Sequence, residues 1–373
     1  MNLNDFLAQK PLFYAQFDPD RIKTVWAKIK NRFTLPPVIH IVGTNGKGTT
    51  GRFLAEFLYA RGKRTGHYTS PHITRFNERI WLNGTPCDDT VLEEEHTRLL
   101  SLLDSEDAES LSYFEYTTLL AAAVYEKRCD YIVMEAGLGG EYDATSVFEP
   151  VLMLLTPVGI DHKEFLGETV EAITATKLGA LRSDLIVAFQ TDPSVYAIAA
   201  EKAAAAGKDV RFVRDLFEQS EAEDYLDENR LLAVAAARYL GFEDAEKTMF
   251  PKGTLFGRFS TFAPNVTVDV GHNVLAAEAI RKRLGERKVK LVYNTLEDKE
   301  YEMILRTLKP NISTLEIIPI QDIRALPRER LITALEKLNI DYYDFNGINE
   351  TDEYLVFGSF KTVEAFCKRY NEK

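Results

Sequence analysis

Val38-Ile39-His40-Ile41-Val42 runs directly into Gly43-Thr44-Asn45-Gly46-Lys47-Gly48-Thr49-Thr50, and a helical stretch from Gly51 to Arg61 follows. A β-branched run favours a strand and closely spaced glycines a tight turn, so this order opens a nucleotide-binding α/β domain. Glycines lack Cβ atoms, which lets backbone N–H groups curl around an anion, and the helix amino terminus adds its field. Lys47 can reach outer phosphates as a point charge, and the Thr49 hydroxyl can bond a phosphate or support a cation. The spacing differs from GxxxxGK[ST], because Gly48 stands between Lys47 and Thr49. That points to a related loop of another ATPase class. A plain structural turn with an exposed lysine is the competing reading, and the flanking strand and helix weigh against it.

The pattern then repeats. Helices are expected at 18–33, 89–104, 112–128, 167–181 and 193–206, and strands at 63–70, 131–135, 151–156 and 185–189. Asn83-Gly84 suits the turn of a hairpin. Short apolar strands alternating with helices predict a mainly parallel sheet covered on both faces. Polar residues gather just past strand ends: Thr44 to Thr49, Ser70, Glu135, and Asp161 with His162. Open α/β sheets place their sites at that edge. After a helix at 224–239, the stretch 247–265 is dense in Gly, Pro and Thr, and the domain junction is placed between 257 and 264. The α/β pattern restarts at Val266, which divides the chain into 1–262 and 263–373.

Length and charge narrow the partners. The 373 residues suit two or three domains, and 45 basic against 57 acidic side chains leave a net charge of -12. Such a surface repels a nucleic-acid backbone, so an anionic substrate needs a local cationic pocket. The amino terminus does not read as a signal peptide, and no apolar run reaches the roughly 20 residues that cross a bilayer. Cys87, Cys129 and Cys367 lie far apart, as thiols of a reducing compartment do. A cytoplasmic monomer without membrane or nucleic-acid partners is expected.

The sequence resembles the Mur ligase superfamily, and within it the folylpolyglutamate synthase and dihydrofolate synthase family. The likeness rests on ordered matches: GTNGKGT (43–49), TSPHITRFNERIWLNG (69–84), FEYTT (114–118), EAGLGGEYDAT (135–145), GIDHKEFLGETV (159–170), TKLGA (176–180), FGRF (256–259) and DVGHNV (269–274). It implies an amino-terminal P-loop-like ATPase domain with a mainly parallel sheet, plus a smaller Rossmann-like carboxyl-terminal α/β domain bearing the glutamate ligase function. It implies an ATP-dependent ligase that phosphorylates the carboxylate of dihydropteroate or folate and lets L-glutamate attack the acyl phosphate.

The resemblance also assigns residues. Thr44, Asn45, Gly46, Lys47, Gly48 and Thr49 would bind ATP, joined by Arg258, Asp269, His272 and Asn273. Ser70, Glu135 and His162 would hold magnesium, with two ions expected. Hydroxyl and carboxylate oxygens suit that hard cation, whereas a histidine alone suggests zinc or manganese. By residue type alone Glu135 reads equally as a capping acid, and His162 as a hydrogen-bonded loop histidine. Lys177 matches the family lysine carried as a carbamate; a plain helix lysine is the alternative. Lys47, His162, Lys177 and Arg258 are thus the catalytic candidates, Arg258 touching the phosphates after domain closure. Asp298 and Lys299 fit a structural role as well as a catalytic one.

Two departures bear on specificity. Thr145-Ser146 stands where the family usually has Thr-Asn, and Glu141 where it often has arginine. Dihydropteroate addition, chain extension or both remain open, as do a Mur-type ligase for another carboxylate and an ATP-binding homologue without turnover.

Overall fold

The structure, a computed structural model, describes residues 1–11, 18–251 and 255–371. It divides into two compact units. Met1–Val158, His162–Ala222 and Leu226–Pro251 form the first, and Gly159–Asp161, Glu223–Tyr225 and Lys252–Lys373 the second.

The first unit is built on an eight-stranded sheet. In chain order its strands are β1 (Val38–Val42), β2 (Thr65–Tyr68), β3 (Ile80–Leu82), β4 (Thr85–Pro86), β5 (Tyr131–Glu135), β6 (Pro150–Leu155), β7 (Asp184–Val187) and β8 (Val210–Phe212). They lie in the spatial order β4-β3-β2-β5-β1-β6-β7-β8. All neighbours run parallel except at β3, which is antiparallel to both β2 and β4. The β3–β4 hairpin turns through Asn83 and Gly84, with φ of 48° and 104°, as a type I′ turn requires.

Alternation along the central strands splits the core in two. Val38, Ile132 and Met134 pack on one face with Leu119, Leu120 and Val124 of the helix Tyr113–Glu126. Ile39, Ile41 and Val133 pack on the other with Phe53, Phe57 and Leu231. Ser112 and Glu115 close a capping box at the start of the helix Tyr113–Glu126, so this part of the FEYTT segment serves the fold.

The second unit has a six-stranded sheet of β9 (Ser260–Ala263), β10 (Val266–Val268), β11 (Val289–Tyr293), β12 (Ile312–Ile317), β13 (Tyr342–Asp344) and β14 (Tyr354–Phe357). Its order is β13-β12-β11-β14-β10-β9, parallel but for β9. Leu291, Tyr293, Leu315, Leu335 and Phe357 centre its core.

Several boundaries differ from expectation for physical reasons. The helix after the phosphate loop starts at Lys47 rather than Gly51, because Gly46 caps it in the left-handed region. The helix expected at 167–181 is shorter, Val170–Leu178, capped by the Thr169 side chain, and Gly167 at φ 118° separates it from a short helix, Lys163–Leu166, that precedes the expected range. The segment 257–264 lies inside the second unit, since β9 pairs with β10. The centre of the expected 247–265 loop, residues 252–254, lies outside the described residues. All three cysteines are buried, and no disulfide joins them. Among the described residues no helix is long and apolar enough to cross a membrane.

Candidate active site

Strand order explains why distant motifs meet. β5 and β6 flank β1 and β2 flanks β5, so the segments after their carboxyl ends emerge along one sheet edge. The phosphate loop follows β1, Ser70 follows β2, Glu135 ends β5 opposite Ile41, and His162 lies in the segment after β6.

The loop is held by its own backbone. The N–H groups of Thr44 and Asn45 both donate to the Pro157 carbonyl, at 3.0 and 3.2 Å. Gly46 has φ 85°, and a Cβ there would sit 2.3 Å from the Asn229 side-chain oxygen. Both facts demand glycine. Lys47 Nζ donates to the carbonyls of Gly43 and Thr44, each at 3.2 Å, which folds the ammonium back over the loop. Gly48 and Thr49 lie buried in the first helical turn.

Glu135 is buried at the sheet edge. The Thr69 hydroxyl and the Ser70 N–H both donate to its Oε2, the latter at 3.3 Å. Oε1 is left for a further ligand. In the segment after Ser70, Glu78 accepts N–H bonds from Ile73, Thr74 and Arg75 at 2.7, 2.9 and 2.7 Å. Burial works against its charge, yet these bonds and the Thr74 hydroxyl hold its carboxyl below the usual range. Glu78 therefore shapes the segment that starts at Ser70. His162 is exposed with φ 49° and caps the helix Lys163–Leu166.

Lys177 is buried, and its Nζ donates to the Gly43 carbonyl at 2.9 Å. The Gly-Leu-Gly-Gly loop packs on the same helix end, where a Cβ on Gly140 would lie 2.0 Å from the Lys177 carbonyl oxygen. Asp143 braces that loop. Its carboxylate accepts from the Leu138 N–H at 2.7 Å and the Thr145 hydroxyl at 2.5 Å. Since that hydroxyl donates to Asp143, it accepts from His40 Nε2 at 2.8 Å. Burial pushes the Asp143 carboxyl upward and the His40 imidazole down to about 4.

Asn229, Glu78, His40 and Asp143 were not singled out by sequence. Asn229 looks like an ordinary member of an alanine-rich helix, and His40 like one residue of a strand.

In the second unit, Arg258 lies in the turn before β9 with its guanidinium 4.9 Å over the Phe360 ring. Asp269 is buried and accepts N–H bonds from Gly271 at 2.7 Å and Phe259 at 2.8 Å. Asn273 caps the helix Val274–Leu284 through the Ala276 N–H at 2.9 Å. Asp161, part of this unit, takes Lys299 at 2.9 Å, Asn273 at 3.1 Å and His272 Nε2 at 3.5 Å. Lys299 also pairs with Asp298 at 3.2 Å, so this pair ties loops together.

No protein-family model matches the chain. It is 32% identical over 409 aligned residues to the dihydrofolate synthase/folylpolyglutamate synthase of Haemophilus influenzae, covering 93% of this chain and 92% of that protein. Helicobacter pylori folylpolyglutamate synthetase is similar in structure, with a TM-score of 0.79 and 37% identity, over 100% of this chain and 98% of that one. E. coli FolC in complex with DHPP and ADP gives a TM-score of 0.84 at 27% identity, with the same coverage.

Proposed function

The chain belongs to the dihydrofolate synthase/folylpolyglutamate synthase family, and we infer that it is an ATP-dependent ligase adding L-glutamate to dihydropteroate, to folate, or to both through an acyl phosphate. The observation that carries this reading is that Lys47 and Lys177, each from a helix, both donate to the Gly43 carbonyl just past β1, whose neighbour β5 ends in Glu135.

The reaction divides into two transfers. A carboxylate oxygen of the acceptor takes the terminal phosphoryl group of ATP, releasing ADP. The amino group of glutamate then attacks the acyl carbon. The C–N bond forms, the amine loses a proton, and phosphate departs with the bridging oxygen. The amino terminus of the helix Lys47–Ala60, with the N–H groups of its first turn, stabilises the triphosphate. Lys47, folded over the loop, lies where it can follow the migrating charge. By the family resemblance Arg258 would supply planar guanidinium donors to phosphate. Burial of Lys177 and Glu135 keeps their interactions in a low-dielectric setting, where they count for more.

Ser70, Glu135 and His162 would hold magnesium. Glu135 suits a hard cation, since it offers a carboxylate with one oxygen held in place by Thr69 and Ser70. When bound, the ion neutralises phosphate charge. A carbamate on Lys177 would convert a cation into an anion suited to a second magnesium.

Purified protein given ATP, magnesium and L-glutamate is expected to release phosphate only when dihydropteroate or a folate is added. Product mass should rise by one glutamyl unit. Release with an unrelated carboxylate and none with pteroate or folate would assign it instead to another Mur-type ligation.

A further inference from the structure

Arg258 sits in a turn whose shape is unusual. Gly257 and Phe259 on either side have φ of 79° and 45°. A phenylalanine takes that left-handed conformation only where its surroundings hold it. Its N–H donates to Asp269 Oδ2 at 2.8 Å, and its ring lies 4.5 Å beneath the Arg283 guanidinium. The Val270 N–H closes the turn onto the Gly257 carbonyl at 2.9 Å.

The same Oδ2 receives the Tyr225 hydroxyl at 3.3 Å, and Oδ1 receives the Gly271 N–H at 2.7 Å. Asp269 thus spends both oxygens on its own unit. Tyr225 belongs to the short segment Glu223–Tyr225 that is part of this unit although the helix it begins continues into the other. Its neighbour Asp224 pairs with Arg283, so the segment grips the turn twice, once through Asp269 and once through the guanidinium over Phe259.

We propose that Tyr225 and Asp269 are positioning residues that hold the Gly257–Phe259 turn, so that Tyr225 acts on the nucleotide only through Arg258. The inference rests on the reading of Arg258 as a phosphate contact. Burial raises the Asp269 carboxyl while the nearby Arg258 charge lowers it, which agrees with a direct electrostatic link between the two.

The test is a double-mutant cycle on the full chain, with initial rates measured against ATP and against L-glutamate for wild type, Tyr225→Phe, Arg258→Ala and the double variant. Loss of a hydrogen bond to a charged group predicts that Tyr225→Phe raises KM for ATP about tenfold and leaves KM for glutamate unchanged. In the Arg258→Ala background the same change should shift KM for ATP less than about twofold. An equal factor in both backgrounds, or no effect of Tyr225→Phe on the wild type, overturns the proposal while leaving Arg258 in place. Wild-type ATP kinetics in Arg258→Ala would overturn the Arg258 reading itself. Asp269→Asn, which presents an amide N–H₂ to the backbone donors, is expected to show the same dependence on Arg258.

Discussion

Lys177 reaches the phosphate loop directly: its Nζ lies 2.9 Å from the Gly43 carbonyl, and the side chain is 3% exposed. A buried lysine tied to the first residue of that loop cannot be a solvent-facing helix residue. Lys177→Ala is expected to lower ATP-dependent turnover about 10²-fold, the usual cost of losing one placed electrostatic group. If the side chain works as a carbamate, short carboxylic acids will restore part of the variant's activity, and the intact mass of the wild type will include one added CO₂. Wild-type turnover in the variant would remove Lys177 from the site.

Shape and charge in the loop can be separated. Gly46→Ala must place a Cβ at φ 85° and 2.3 Å from the Asn229 oxygen. The backbone term alone costs about 1–2 kcal/mol, so both thermal stability and turnover should fall. Lys47→Ala leaves the backbone untouched and should keep its melting temperature while losing about 10²-fold in turnover. Melting curves beside phosphate-release rates distinguish the two outcomes; equal melting temperatures for both variants would contradict the strain at Gly46.

Glu135→Gln keeps the acceptor for Thr69 and Ser70 but removes the charge. The magnesium concentration for half-maximal activity should rise at least about tenfold, since a ligand's charge dominates binding of so hard an ion. A magnesium titration unchanged from wild type would take Glu135 out of the ligand set.

Stability should fall on mild acidification. His40 is buried and held neutral down to about 4, whereas in the unfolded chain it titrates near 6.5. Between these values the unfolded state binds more protons, so stability rises with pH and is lost as pH falls from 6.5 toward 4. The full window corresponds to about 3 kcal/mol. His67, lowered by burial and by the nearby Arg52 charge, acts in the same direction. Asp143 and Asp269, whose carboxyls are raised, act in the opposite one. Urea unfolding of wild type and His40→Gln across this range isolates the histidine: the variant should lose less stability per pH unit, and parallel curves would contradict the assignment.

The parts of this molecule that sequence disclosed are those whose cause is local. Val38–Val42, the glycine loop and the helix after it follow from β-branching, missing Cβ atoms and capping within a few positions. Glu135 at the end of a strand and Ser70 just past one drew notice by position, while their reading as metal ligands came from the family resemblance. The pairing of His40 with Thr145 spans 105 positions, and no spacing rule connects them. Asn229 matters because its amide meets Gly46, a contact made only by tertiary packing. β9 escaped notice because its four residues owe their extension to pairing with β10. Tyr225 has no motif around it, and only the Asp269 contact distinguishes it.

The most direct measurement follows an oxygen atom. Acceptor labelled with ¹⁸O in the carboxylate that becomes the amide should pass one labelled oxygen into the phosphate released during glutamate addition, read by mass spectrometry of the phosphate. Unlabelled phosphate accompanying a glutamylated product would contradict an acyl phosphate and the account built on it.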